Sequence, residues 1–153
     1  MGRRGILRGV SDQDTPKPTT DDPEHTLPPD ADQATIEAMG KLSKAFETVE
    51  RARGRLYDFH QLTGKADMSL DEAVQAFRDA GRPEVADRIE QQIIGRDVAA
   101  GRWTFQLVES YDDDYYRPFA DLERWARDTY AQGKRHLYES QLKVERQQGK
   151  TYR

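Results

Sequence analysis

Three adjacent aspartates, Asp112, Asp113 and Asp114, stand among Trp103, Phe105, Tyr111, Tyr115 and Tyr116. Carboxylates beside phenols and an indole could hold a divalent cation, a basic partner or an amine-bearing ligand. The spacing argues against the cation. Consecutive helical residues point about 100° apart, and calcium loops alternate their ligands instead of stacking them. The run is therefore read as solvated acids or as counter-charges to Arg51, Arg53 and Arg55, with a ligand or protein contact as the functional reading.

The other chemistry-bearing residues are sparse. Of three histidines, His25 lies near the N-terminus, while His60 and His136 fall on different helical stretches. A ferritin-like di-metal site needs Glu-x-x-His on each of two helices plus two further carboxylates, and this chain offers only the reversed His136/Glu139 pair. His60, beside Tyr57 and Asp58, reads as a hydrogen-bonded histidine at a helix end. Glu47 and Glu50 share a helix face without a histidine to complete acid–base work. There is no phosphate-cradling glycine loop and no G-x-S-x-G elbow. Without cysteine the chain has no disulfide, thiolate zinc site or cysteine nucleophile. No catalytic residue, metal ligand or cofactor is assigned.

The elements that must position these groups are helical. Over 34–63, Met39, Leu42, Phe46, Val49 and Leu56 recur at three- and four-residue steps, extended by Ile36, Phe59 and Leu62, with Arg53 in one expected apolar position. Gly64 is the expected stop. Over 118–148, Phe119, Leu122, Ala126, Tyr130, Gly133, Leu137 and Val144 mark a second stripe, with Glu123/Arg127 and Glu139/Lys143 in the favourable i,i+4 order. Each stretch would be about 45 Å long if unbroken.

Between them, Ser69 and Glu72 form a capping-box pattern for a short helix ending at Gly81, and Pro83 opens another ending near Gly95. A helix–turn–helix on DNA is unsupported, because the second helix presents mostly acids and glutamines, and residues 64–101 hold eight acids against five bases. Residues 102–117 fit a helix from about 105, with Thr104 as a possible cap and a bend or restart near Pro118.

The expected fold class is all-α: two long antiparallel amphipathic helices with a short helical hairpin between them, in one domain over 34–153. Residues 1–33 hold five of the seven prolines and seven acids, and read as a disordered tail. Residue 36 should lie near 144 and His60 near the Phe119 end, gathering Tyr57, His60, Trp103, Tyr111, Asp112, Asp113 and Asp114 at one pole as a ligand- or partner-binding site. No apolar run is long enough to span a membrane, and the basic start lacks the apolar segment of a signal peptide, so cytoplasmic residence is expected.

The runs from Ala52 to Gly64, Leu70 to Val74 and Gly101 to Gln106 resemble those of small uncharacterised helical proteins of actinobacteria, over about residues 40–148. That resemblance implies a source and a helical fold, and no activity. The reading that follows is a non-enzymatic module that binds a protein partner or itself. The alternative is a small-molecule-binding protein or enzyme using the Trp/Tyr/Asp cluster. No specific nucleic acid is implied.

Overall fold

The computed structural model describes residues 22–149, and they are all-helical, with no strand among them. Helix α1 spans Gln33–Asp79, about 70 Å at 1.5 Å per residue. Helices α2 (Pro83–Gln92), α3 (Thr104–Tyr111), α4 (Arg117–Tyr130) and α5 (Leu137–Gln147) follow, with a π-helical turn, Asp112–Tyr116, joining α3 to α4. No helix is long and apolar enough to cross a membrane.

Helix α1 starts where Asp32 accepts the backbone N–H and the hydroxyl of Thr35, at 2.8 and 2.9 Å. It then runs straight through Gly64, the expected stop. A glycine inside a helix costs about 1 kcal/mol, and packing on both sides of it offsets that cost: His60 bonds to Thr104 and Asp67 bonds to the Gly95 amide. Ser69 does not open a new helix. Its hydroxyl donates back to the Lys65 carbonyl at 2.8 Å within the continuing one. The expected inserted hairpin is thus formed by the last turns of α1 against α2, clamped by Arg78, which donates to Glu90 at 2.7 Å and to Asp87 at 3.3 Å.

Along α1 the three–four stepping continues unbroken from Met39 to Phe77, and every position but the last is buried or half-buried. This is a coiled-coil seam in which three successive positions a heptad apart, Arg53, His60 and Asp67, are polar. Each finds a partner: Asp112, Thr104 and the Gly95 amide respectively. Seven-residue spacing of these bonds pins α1 to the returning chain in a single register.

The second long helix of the sequence reading is instead two. Gly133 falls within its stripe by position, but the chain turns there: the Arg127 carbonyl accepts from both Ala131 and Gly133, at 2.8 and 3.1 Å. Gln132, Gly133 and His136 all have positive φ. A Cβ on Gly133 would stand 3.3 Å from the Asp128 carboxylate, so this position favours glycine on two counts. The bend foreseen near Pro118 falls one turn earlier. Proline lacks an N–H and its ring clashes with the carbonyl four residues back, and the wider π turn over Asp112–Tyr116 makes room for it.

Helices α3, α4 and α5 run back along α1: Ser43 meets Glu123, Phe46 meets Phe119, Glu50 meets Tyr116, and Gln33 meets Gln141. His60 lies against Thr104, not near Phe119. The segment read as a tail divides. Residues 1–21 lie outside the described residues, whereas 22–32 dock on the other end of the chain. Lys134 donates to the Thr26 carbonyl and Ser140 to the His25 carbonyl, both at 2.8 Å, and Pro28 is buried. The core is thin: no large side chain among the described residues is completely buried.

Candidate functional site

The expected site residues sit along the middle of α1 rather than at a pole, because α1 continues past His60 to Asp79. Arg53 organises one group of them. Its Nε and one terminal nitrogen donate to the two oxygens of Asp112 at 2.7 and 3.0 Å, a bidentate pair. The guanidinium carbon lies 4.6 Å from the Tyr116 ring centre and 5.1 Å from that of Tyr57. The Tyr116 hydroxyl donates to Glu50 at 2.6 Å. Bonding to Arg53 holds the Asp112 carboxyl below its ordinary range, and bonding to the Glu50 carboxylate pushes the Tyr116 phenol above its own.

The three aspartates diverge, as helical spacing demands. Asp112 turns inward to Arg53, Asp113 pairs with Arg117 at 3.1 Å one turn on, and Asp114 is exposed. Tyr111 begins an aromatic ladder through Tyr115 and Phe119 to Phe46, with ring centres 5.5, 6.1 and 5.8 Å apart. His60 Nδ1 meets the buried Thr104 hydroxyl at 2.7 Å and so satisfies a polar group that burial would otherwise strand. Trp103 precedes α3, whose first turn is closed by Gln106 reaching back to the Trp103 amide at 2.8 Å, and its indole borders a small cleft of about 90 Å³ with Thr63 and Asp67. Arg53 thus unites Tyr57 with Asp112, and Thr104 links His60 to Trp103. The two groups line no common cavity among those found.

A cavity of about 300 Å³ lies elsewhere, between α1, α4 and α5. Glu123, only 7 % exposed, reaches into this region, accepting from Ser43 at 3.2 Å and facing Arg127 at 3.4 Å. The Arg127 Nε is buried with no acceptor among the described residues. At the rim, ligand atoms of Glu47, His136 and Glu139 come within 4.8 Å of one another. Among the described residues these three could hold a divalent ion. All are exposed, and Lys134 and Arg135 border the same cavity. The sequence shows Glu47 and the His136/Glu139 pair separately and does not join them, because they meet only through the turn at 131–136.

A second feature missed in the sequence is the orientation of α4. Its inward face presents Glu123 and Ala126 to α1, while Leu122 and Trp125 point outward, 53 % and 58 % exposed. The helix is amphipathic but partly inverted, with its two bulkiest aliphatic and indole side chains in solvent. Tyr115 and Pro118, at the three- and four-residue steps before Leu122, are exposed too. Compared with protein-family models, curated proteins and solved structures, the chain matches none.

Proposed function

We propose that this protein is a non-enzymatic helical interaction module whose partner-docking surface is the outer face of α4. One observation carries the reading: a helix that buries a glutamate while exposing Leu122 and Trp125 is at odds with its own amphipathicity unless something covers the exposed side. Tyr115, Pro118, Leu122 and Trp125 follow the i, i+3, i+7, i+10 spacing by which one helix enters a hydrophobic groove. Aromatic anchors of this type dominate interface energetics. Cytoplasmic residence and the kinship suggested by the actinobacterial resemblance belong to this reading.

The test is a photo-crosslinking residue, benzoylphenylalanine, at position 122 in the native host. A discrete adduct that is lost on adding Trp125→Ser is expected, with none from the same probe at exposed Glu109. Absence of any adduct at 122 would overturn the reading. Leu122→Ser with Trp125→Ser should leave unfolding free energy within about 1 kcal/mol, as for surface changes generally.

A second reading, small-molecule binding, is favoured by a different observation and at a different place from the Trp/Tyr/Asp cluster. The 300 Å³ cavity brings an unpaired buried Arg127 nitrogen beside the buried Glu123 carboxylate, a donor and an acceptor in a partly apolar recess. Ligand screening by amide chemical shifts, with Arg127→Met as control, separates the two. Shifts confined to the cavity and lost in that variant would support it.

A further inference from the structure

Helix α1 has a second apolar stripe, turned about 100° around the helix from the inner seam. It follows Ala45, Thr48, Ala52, Phe59, Leu62, Ala66, Ser69, Ala73 and Ala76, again at three- and four-residue steps, with Arg55 as its one central interruption. All of these positions but the half-buried Ala73 are exposed, Phe59 by 42 % and Leu62 by 65 %. We infer that this face pairs with the same face of a second copy of the chain, antiparallel, about a two-fold axis passing beside Gln61.

Charge decides both the occupant and the register. The row flanking the stripe reads Glu37, Lys44, Arg51, Asp58, Lys65, Glu72, Asp79, one residue per heptad, and all are exposed. In an antiparallel pair such rows face each other. With the axis beside Gln61, Lys44 meets Asp79, Arg51 meets Glu72 and Asp58 meets Lys65 of the second copy, and symmetry doubles each attraction. In that same register Phe59 lies against Leu62 of the second copy at the centre, and alanine, serine and threonine fill most layers outward, allowing close approach of the backbones.

Neighbouring registers fail on the same row. Sliding by one heptad in one direction sets Asp58 against its own copy and Arg51 against Lys65. Two heptads in that direction set Lys44 against Lys65 and Glu37 against Glu72. Sliding by one the other way sets Asp58 against Glu72. A parallel pair would place the row against the apolar inner seam, with no opposite charges to meet. Overlap over residues 41–80 is about 60 Å long, and a strip about 10 Å wide buries roughly 1,200 Å² in total, the lower bound for specific association. Arg55, within the stripe, extends outward to Asp58 at 3.1 Å and leaves the backbone approach open.

This pairing uses a different surface from the α4 face, and the two stand or fall separately. Light scattering of the full chain at roughly 0.1 mM should give twice the 17.6 kDa chain mass. Leu62→Glu should return it to a monomer with unchanged helicity. Arg51→Glu and Glu72→Arg should each weaken the dimer at least about tenfold, since each sets two like-charge contacts, and the double exchange should restore it. Trp125→Ser should leave the dimer intact. A wild-type monomer, a dimer indifferent to Leu62→Glu, or failure of the double exchange to restore pairing would overturn the inference, whereas a dimer sensitive only to Trp125→Ser would move self-association to α4.

Discussion

At the residue scale, Arg53 shows how one polar side chain in an apolar seam can fix a fold. In sequence it interrupts a stripe and is one of three arginines that the aspartate run could neutralise. In the structure it joins α1 to the π turn through Asp112 and lies over two tyrosine rings. Arg53→Met should therefore cost about 1.5–3 kcal/mol by chemical denaturation, the range for hydrogen bonds to charged groups, while Asp114→Asn should change stability by less than about 1 kcal/mol. The pH dependence has two flanks. The Asp112 carboxyl is depressed in the folded state, so its contribution is present above the ordinary aspartate range and is lost as pH falls through the folded value. The Tyr116 phenol is raised, so its contribution is present below the ordinary tyrosine range and is lost as pH climbs through the folded value. Denaturation midpoints should be flat between these flanks, and Arg53→Met should shrink the acid-side loss.

At the element scale, Phe46→Ala tests the seam. Its ring sits 5.8 Å from both Tyr116 and Phe119, and the expected loss is about 3 kcal/mol in urea, at the low end for phenylalanine because the site is half-buried. The inner stripe of α1 was legible because amphipathic periodicity is imposed by burial and survives any choice of partner. The ends of the helices were less so. Gly64 and Ser69 carry local stop and start signals worth about 1 kcal/mol each, and tertiary bonds at His60 and Asp67 outweigh them. Gly133 was the reverse case: it fits a helical stripe by position, yet the Asp128 side chain and two neighbouring left-handed residues make it a turn. For the candidate site, the divergence of the three aspartates could be read from helical geometry alone. Which of them meets Arg53 depends on a π turn that no propensity announces.

At the scale of the whole molecule, the two ends of the described chain support each other. Residues 22–32 close over the α4–α5 turn through Lys134, Ser140 and the buried Pro28, so a chain lacking residues 1–30 should melt several degrees below one lacking only 1–21. Equal melting temperatures would show that the docked segment contributes nothing. The π turn has the widest reach of any local feature. Thr104 and Val108 point α3 inward, and an uninterrupted α-helix would carry that inward line on through Tyr111, Tyr115, Pro118, Leu122 and Trp125. The one extra residue in the turn hands the inward line to Tyr116, Phe119, Glu123 and Ala126 instead. The π turn therefore decides which face of α4 meets α1, and the face it leaves outward carries the anchors. A proline inside an uninterrupted helix costs about 3 kcal/mol, so Pro118 favours the wider turn, and the Tyr116–Glu50 bond adds to that preference. In a Trp103→Phe background, Trp125 emission should be that of a solvent-exposed indole, and Glu50→Ala, which removes one bond but leaves the proline, should not move it. Deleting Asp114 shortens the turn to a plain α-helix with the anchors still outward, and should leave that emission where it was. One inserted residue thereby sets the facing of all 14 residues of α4 that follow it.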